Sequence, residues 1–377
     1  MPNFTHDFTP ASGSTLGATV DLSVRAVEDA GLLEILQSPG PAVGLWGLFD
    51  PLLDLASAEF RFIEPLGQSR EVKTALSGLF GRFVARAYAR RHLGLTHFTH
   101  VTKPPMRLSG PMRGELRRVR GRRGDMPDWV AWGPRSGMAI VKAKGCHDRS
   151  GPGQTLGRAF AQAERAEIWG RQGLAPLKRY AIATRWGFAA PLNWAPMLWV
   201  RDPDEEGNNV APEEIHELQA GVIRLHYASL LDRLEQRALA AALRDLVRTP
   251  FRNRHAEAGS RAMAALEAAS PRRVVGSVSV EPQDDLIGGF VTRSGVLPAD
   301  ELSGVDQEML SRLKMRPAFV GVERRILKLA VLGNISSIED HRRTVSLYEE
   351  EGAPQGPRDD GAGGWIVRLD EDAAQIK

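Results

Sequence analysis

Apolar residues recur at intervals of three and four from Ser69 onwards, the spacing that places side chains on one face of an α-helix. Four arginines between positions 82 and 91 fall off this apolar face. Gly94 follows, and glycine commonly ends a helix. The pattern therefore predicts a helix from about Ser69 to Gly94. Its apolar positions are Val72, Leu76, Leu79, Phe80, Phe83, Val84 and Ala87.

Short apolar runs of the β type follow this helix. They lie at residues 97–102, 127–132, 138–144, 179–184 and 196–201. Gly133, Pro134 and Gly137 separate the second and third runs, which predicts a hairpin. A glycine-rich break at 145–153 leads into a second predicted helix over about 154–169. The order of helix, three strands, helix and strand predicts an α/β core.

The rest of the chain divides around this core. We expect an N-terminal region at 1–68, punctuated by glycine and proline and of unclear role, a core domain at 69–205, and a C-terminal domain at 206–377. Residues 211–270 have a helical pattern, and a mixed α+β region follows. Its expected elements are strands at 273–280 and 319–322, a helix near 307–314, an apolar run at 326–332 and a flexible acidic stretch at 349–364.

Composition narrows the class of protein. The 377 residues are 42% hydrophobic and 25% charged, which is ordinary globular usage. The single cysteine, Cys146, excludes an intrachain disulfide and a cysteine-rich zinc module. No apolar run reaches the ~18–20 residues that span a bilayer, and the first fifteen residues lack a signal-peptide pattern. We expect a cytoplasmic protein that does not bind a membrane.

Charge is distributed unevenly along the chain. From Arg82 to Ser150 there are sixteen lysines or arginines against four acidic residues, whereas Glu339 to Lys377 carries ten acids against five basic residues. A concentrated positive region attracts phosphate backbones through counterion release. It is equally typical of a solvated loop without a partner. The candidate nucleic-acid-binding residues are Arg113, Arg117, Arg118, Arg120, Arg122 and Arg123.

The pair Pro127-Asp128 is followed fourteen residues later by Lys142-Ala-Lys144-Gly145. In its order of elements and in this motif, the stretch of about residues 69–200 resembles the PD-(D/E)xK, or restriction-endonuclease-like, nuclease superfamily. The resemblance implies a restriction-endonuclease-like core and metal-dependent cleavage of nucleic acid, with DNA as the expected substrate. It assigns the motif aspartate to Asp128, as a metal ligand, and the motif lysine to Lys144.

The reaction that this family catalyses explains why its motif contains carboxylates and a lysine. A divalent ion polarises the phosphate and lowers the pKa of a bound water. Mg²⁺ or Mn²⁺ takes oxygen ligands, usually one or two carboxylates and several waters. The motif lysine orients the attacking water and offsets charge in the transition state. Alternate residues of a strand share a face, so positions 142 and 144 are expected to project together beside Asp128.

Lys142 departs from this pattern, because it stands where the family has its second carboxylate. The first helix also lacks a mid-helix acid, since Glu71 lies in its first turn. Three interpretations remain open. Lys142 pairs with Asp128 in a catalytically silent site; or Asp148, Glu164 or Glu167 supplies the missing carboxylate; or a native glutamate has been replaced by this lysine.

Two functions are compatible with these observations. The first is a nucleic-acid-binding protein of nuclease fold, impaired or silent in hydrolysis, of the kind found in bacterial defence and DNA repair. The second is a non-catalytic scaffold subunit that binds a protein partner through residues 206–377. A Walker-type phosphate loop is absent from the sequence, so we do not expect ATP hydrolysis.

Overall fold

The structure is a computed structural model. It describes residues 3–10, 16–38, 52–67, 69–147, 152–190, 192, 194–202, 207, 210–250, 252–276, 285–291, 318–340, 358–359, 362–368 and 374–376. In these ranges, no helix has both the length and the apolar character needed to cross a membrane.

The N-terminal half alternates strands and helices. Its elements are β1 (Asn3–Pro10), β2 (Leu16–Asp21), α1 (Val24–Gln37), β3 (Arg61–Phe62), α2 (Arg70–Leu93), β4 (His97–His100), β5 (Met106–Ser109), β6 (Gly114–Arg118), β7 (Trp129–Gly133), β8 (Gly137–Cys146), α3 (Pro152–Ala163), β9 (Ala166–Trp169), β10 (Lys178–Arg185), β11 (Gly187–Phe188) and β12 (Met197–Asp202).

The C-terminal half begins with a helical block and continues with strands. Its elements are α4 (Pro212–Arg233), α5 (Arg237–Arg248), α6 (Arg252–Ala268), β13 (Val274–Gly276), β14 (Leu286–Val291), β15 (Ala318–Glu323), α7 (Arg324–Leu332), β16 (Arg358–Asp359), β17 (Gly364–Arg368) and β18 (Ala374–Ile376). The general α/β class and the helical block at 211–270 are confirmed.

The first predicted helix is confirmed at both ends. The Ser69 hydroxyl accepts a hydrogen bond from the Val72 backbone N–H at 3.2 Å and caps the start of α2. Gly94 ends the helix with a φ of 65°, the left-handed conformation that glycine adopts without strain. One detail differs from the periodicity: Arg86, off the apolar stripe, is only 2% exposed. It is buried because α1 packs on that side of α2 and supplies an acidic partner.

A seven-stranded mixed sheet carries the fold, in the order β2-β1-β12-β10-β8-β7-β4. Strands β4, β7 and β8 are antiparallel neighbours, and β8 pairs in parallel with β10 after the crossover through α3. Phe80 and Phe83 of α2 pack on the face that carries Val141. Ala163 of α3 packs with Ile140, on the other face. The predicted hairpin is confirmed, with its turn between Gly133 and Gly137.

The second predicted helix is too long. The helix α3 ends at Ala163, and residues 166–169 form β9, which pairs with β6 in a separate sheet of order β5-β6-β9. The physical reason is the period of burial. Ala166 and Ile168 are buried and alternate with half-buried neighbours, which is the two-residue repeat of a strand.

The proposed domain boundaries remain predictions, but the sheet extends across the first of them. Strand β1 pairs in parallel with β12, so residues before position 69 extend the same sheet as the core. Helix α4, beyond position 206, packs on β4 and β7. One apolar cluster accordingly joins Leu36, Ile140 and Tyr227.

Some of the elements expected in the C-terminal region are confirmed, and others are not. The strand predicted at 319–322 is confirmed as β15, and the apolar run at 326–332 lies in α7. Of the strand expected at 273–280, residues 274–276 form β13, Arg273 precedes it, and residues 277–280 lie outside the described residues, as does the helix expected near 307–314. The flexible stretch expected at 349–364 is wrong for its described residues. Residues 358–359 form β16, the edge strand of the sheet β14-β15-β17-β16, and Ala362 is buried.

Candidate functional site

Asp128 and Lys142 meet at the end of the hairpin. The pairing of β7 and β8 places Trp129 opposite Val141, and the Asp128 backbone N–H donates to the Val141 carbonyl at 3.1 Å. The Lys142 Nζ donates to Asp128 Oδ1 at 2.9 Å. The other carboxylate oxygen, Oδ2, accepts from the Ala143 backbone N–H at 2.8 Å. Both oxygens of Asp128 are therefore engaged by groups of β8.

This ion pair is well shielded from water. The Lys142 side chain is 10% exposed and the Asp128 side chain 13%. An ammonium or carboxylate removed from water to this extent needs an opposite charge and hydrogen bonds to offset the loss of hydration. The two side chains meet that need for each other.

Lys144 lies two residues further along β8, on the same face as Lys142. Within the described part of the chain, its Nζ makes no hydrogen bond or ion pair. Burial lowers the pKa of Lys144, and the positive charge of Lys142 lowers it further. The carboxylates of Asp128 and Asp125 act in the opposite direction. The strand thus presents one neutralised cation and one whose charge is only partly balanced.

Helix α2 fixes the end of this strand by direct backbone contact. A Cβ on Gly145, the residue after Lys144, would lie 1.9 Å from the Ser77 carbonyl oxygen of α2. A Cβ on Gly81 would meet the Gly145 backbone nitrogen at 2.7 Å. Only glycine at both positions allows the helix and the strand to approach so closely, so the position of Lys144 depends on this packing.

The residues of the site do not fit a divalent metal ion. Both carboxylate oxygens of Asp128 already accept hydrogen bonds from β8, and the Lys142 ammonium occupies the place of a second carboxylate. Glu71 is exposed in the first turn of α2. Glu167 lies on β9, in the other sheet. Across the described ranges, no group of three or more His, Cys, Asp or Glu side chains could hold a metal, and Asp148 lies outside those ranges.

Two of the six candidate arginines are engaged within their own strand and loop. The guanidinium of Arg117 forms an ion pair with Glu115 and lies over the Trp169 ring, 5.7 Å from its centroid. Arg118 Nη1 donates to the Gly124 carbonyl at 2.7 Å. Residues 114–118 are therefore not part of a solvated loop. They form β6, because β5 and β9 pair with it on both sides.

The other four candidates are exposed. Arg113 occupies the turn before β6, with a φ of 52°. Arg120, Arg122 and Arg123 follow β6 in a loop that leads to Asp128. In the described residues, these last three have no hydrogen bond from the side chain and no ion pair. They form the exposed basic surface, hereafter the arginine loop (residues 119–124).

The arginine loop is fastened to the end of α3. The Val119 backbone N–H donates to the Arg165 carbonyl at 2.9 Å, and Arg165 Nη1 donates to the Asp125 carbonyl at the same distance. The Gln162 amide lies 3.5 Å from an Asp125 carboxylate oxygen. These contacts hold the loop beside the face of α3 that carries Arg158 and Gln162, four residues apart.

Sequence reasoning missed the contributions of Arg158, Arg165 and Asp125. The signal available was the i, i+4 spacing of Arg158 and Gln162 on a helix that follows the motif strand. It also missed a cluster behind the site. The Trp129 Nε1 donates to Glu34 Oε2 at 3.0 Å, and Glu34 is fully buried.

The chain was compared with known proteins. No family model, no curated protein and no solved structure matches it. A fold does not determine a function, so the function has to be inferred from the geometry and chemistry of the site itself.

Proposed function

We propose that this chain binds nucleic acid through a nuclease-like core whose site is silent in phosphodiester hydrolysis. The observation that carries the proposal is the 2.9 Å contact between Lys142 Nζ and Asp128 Oδ1. In the PD-(D/E)xK pattern that the sequence resembles, these two positions would both be carboxylates that share a metal ion. Here they neutralise each other.

The order of elements supports the nuclease-like core. Helix α2 precedes three antiparallel strands, β4, β7 and β8, and α3 connects β8 to its parallel neighbour β10. This is the order of helix, three strands, helix and strand on which the resemblance rests. Strands β5, β6 and β9 are additions that lie in the second sheet.

The chemistry of the pair supports a silent site. A metal ion in such a site polarises the phosphate and lowers the pKa of the attacking water. The Lys142 ammonium supplies one positive charge, but it coordinates no water and generates no nucleophile. A carboxylate that moves in from elsewhere receives less support, because Glu167 lies on β9 in the other sheet and the described residues include no group of three His, Cys, Asp or Glu side chains that could hold a metal.

The arginine loop supports nucleic acid as the ligand. Its three exposed guanidinium groups lie in the segment that leads into Asp128, so a bound backbone would run toward the site. Contacts between arginine and phosphate supply affinity without requiring a particular base sequence. We expect DNA as the natural ligand.

The test is a salt titration of binding to duplex DNA, single-stranded DNA and RNA, followed by fluorescence anisotropy. The affinity of the parent chain should fall steeply with salt, because each neutralised phosphate contributes about 0.9 to the logarithmic slope. Replacing Arg120, Arg122 and Arg123 together with Ala should lower that slope by about 3. These arginines separate binding from folding better than Arg117 and Arg118, which contact their neighbours.

The matched control replaces three exposed arginines of the helical block, Arg237, Arg248 and Arg261, with Ala. It removes the same charge and should leave the slope close to that of the parent. Equal slopes for the parent and the loop variant would contradict the proposal. Absence of binding to all three nucleic acids at low salt would favour the scaffold function, with a protein partner at residues 206–377.

A further inference from the structure

Lys144 is a cation of this site that no acidic side chain pairs with among the described residues. The neighbouring ammonium, Lys142, is taken up by Asp128 at 2.9 Å. Lys144 shares its strand face and is half-buried, yet in the described part of the chain its Nζ has no partner. A half-buried ammonium is stabilised by an anion more strongly than an exposed one, because less water screens the interaction.

Helix α3 adds a second cation on the same side. Arg158 is exposed on α3, and its charge acts on Lys144, as do the charges of Lys142, Asp128 and Asp125. Gln162, one turn later, is 8% exposed and is held against Asp125. Helix α3 packs on β8 and β10, so Arg158 and Gln162 are carried by a helix of the core that lies against the strand of Lys144.

Among the described residues, Asp128 pairs with Lys142 at 2.9 Å, whereas neither Lys144 nor Arg158 forms an ion pair. A phosphodiester or a phosphate monoanion carries the negative charge that these two cations could bind. Guanidinium and ammonium groups are also the side chains that bind phosphate oxygens through charge-assisted hydrogen bonds.

We propose that Lys144 and Arg158 hold one phosphate group directly, without a metal ion, at the end of the arginine loop. The Lys142–Asp128 pair, which is neutral overall, joins the two strands of the hairpin beneath this group. The inference rests on the proposed function in taking that phosphate to be part of a nucleic-acid backbone. Free phosphate has the same chemistry, and the experiment separates the two sources.

The experiment uses the full chain in EDTA and three ligands: inorganic phosphate, a thymidine dinucleotide with one phosphodiester, and a 20-nucleotide DNA. Binding of the small ligands is followed by NMR shifts of the backbone amides, and binding of the long one by anisotropy over a salt series. The variants are Lys144→Gln and Arg158→Gln, with Lys144→Arg as the conservative change and Arg261→Gln as the surface control.

The parent should bind the dinucleotide in EDTA, with the amides around Lys144 shifted. Lys144→Gln should weaken this binding about tenfold, the loss typical of one charged hydrogen bond. It should also lower the salt slope for the long DNA by about 1. Lys144→Arg and Arg261→Gln should behave as the parent does. Should Lys144→Gln fail to fold, Arg158→Gln alone has to show the same two losses.

Parent affinity and slope in both Gln variants would overturn the inference. The proposed function would survive that result if the loop variant still lost its slope. Binding that requires Mg²⁺ and disappears in EDTA would also overturn it. Binding of inorganic phosphate at Lys144 without binding of the dinucleotide or the long DNA would support the phosphate site and contradict its nucleic-acid origin.

Discussion

Asp128 and Trp129 are consecutive residues, and each contacts a different cluster of charged side chains. The two clusters lie on opposite faces of the seven-stranded sheet. Behind the sheet, the Trp129 indole donates to Glu34, a carboxylate with no exposure that Arg86 and His100 also contact, at 3.4 Å and 3.2 Å. In front of it, Asp128 faces a single ammonium and keeps 13% of its side chain exposed. In the first cluster, hereafter the rear cluster, the central acid is surrounded by groups from several elements. Its members are Glu34, Arg82, Arg86, His100 and Trp129. The second cluster, hereafter the front site, consists of Asp128, Lys142 and Lys144. Because Lys144 has no partner among the described residues, we interpret the front site as the cluster that binds a ligand.

The pKa of Glu34 shows that the rear cluster stabilises the charged form of this carboxylate. Burial alone would raise this pKa, but the charge of His100 and its hydrogen bond, together with Arg82 and Arg86, lower it to about 2. A buried carboxylate with its partners in place contributes to folding, and it becomes costly when one partner is lost. The rear cluster therefore joins α1, α2, β4 and β7 to each other.

The largest expected effect comes from breaking the rear cluster. Glu34→Gln should lower the free energy of unfolding by about 3–5 kcal/mol, because it leaves Arg86 buried without its carboxylate. Urea unfolding followed by circular dichroism measures this change. Glu257→Gln, at an exposed position on α6, is the control and should cost below about 0.5 kcal/mol. Similar losses of unfolding free energy for the two variants would show that the rear cluster stabilises the fold no more than an exposed glutamate does.

The same cluster should determine much of the acid sensitivity. The folded-state pKa of Glu34, about 2, lies below its ordinary value of 4.5. Its contribution is thus fully present above about pH 4.5 and is lost as the pH falls toward 2, amounting to about 3 kcal/mol over that window. Glu34→Gln should flatten this part of the curve of unfolding free energy against pH. A variant curve parallel to that of the parent between pH 4.5 and 2 would contradict the assignment.

The front site was more accessible to sequence reasoning than the rear cluster. Asp128, Lys142 and Lys144 are linked by a hairpin, and a two-residue period is enough to place them on one face. Glu34 and Trp129 are 95 residues apart, and their contact depends on how α1 packs behind the sheet. Periodicity also assigned Arg86 to the polar side of α2, since a helical pattern does not reveal a second helix covering that side.

The Lys142–Asp128 pair, hereafter the front pair, should contribute less to the free energy of unfolding than the rear cluster does. Lys142→Met removes the ammonium but leaves Asp128 with the Ala143 N–H and some water, so we expect a loss of about 2 kcal/mol. Lys178→Met is a matched control, since Lys178 pairs with Asp202 at 3.1 Å on the same sheet but is 31% exposed. It should cost below about 1 kcal/mol. Chemical denaturation compares the two directly, and equal losses would show that the front pair behaves as a surface pair.

The smallest expected effect tests whether one residue separates this site from a metal centre. Lys142→Glu places a second carboxylate beside Asp128 and restores a Glu-x-Lys pair with Lys144. The variant should start less stable than the parent, because two carboxylates then face each other. Mn²⁺ at about ten times its Kd should restore about 1.4 kcal/mol to the variant and leave the melting temperature of the parent unchanged.

A nuclease assay tests whether the restored carboxylate also restores hydrolysis. Plasmid, single-stranded DNA and RNA are incubated with the parent, Lys142→Glu, and Lys142→Glu combined with Asp128→Asn, with and without Mn²⁺. Cleavage that appears in Lys142→Glu and disappears in the double variant would place the loss of hydrolysis at position 142. Efficient, Asp128-dependent cleavage by the parent would contradict the silent site. A Lys142→Glu variant that binds no Mn²⁺ would mean that further ligands have been lost, since Asp128 and a neighbouring Glu alone then fail to hold the ion.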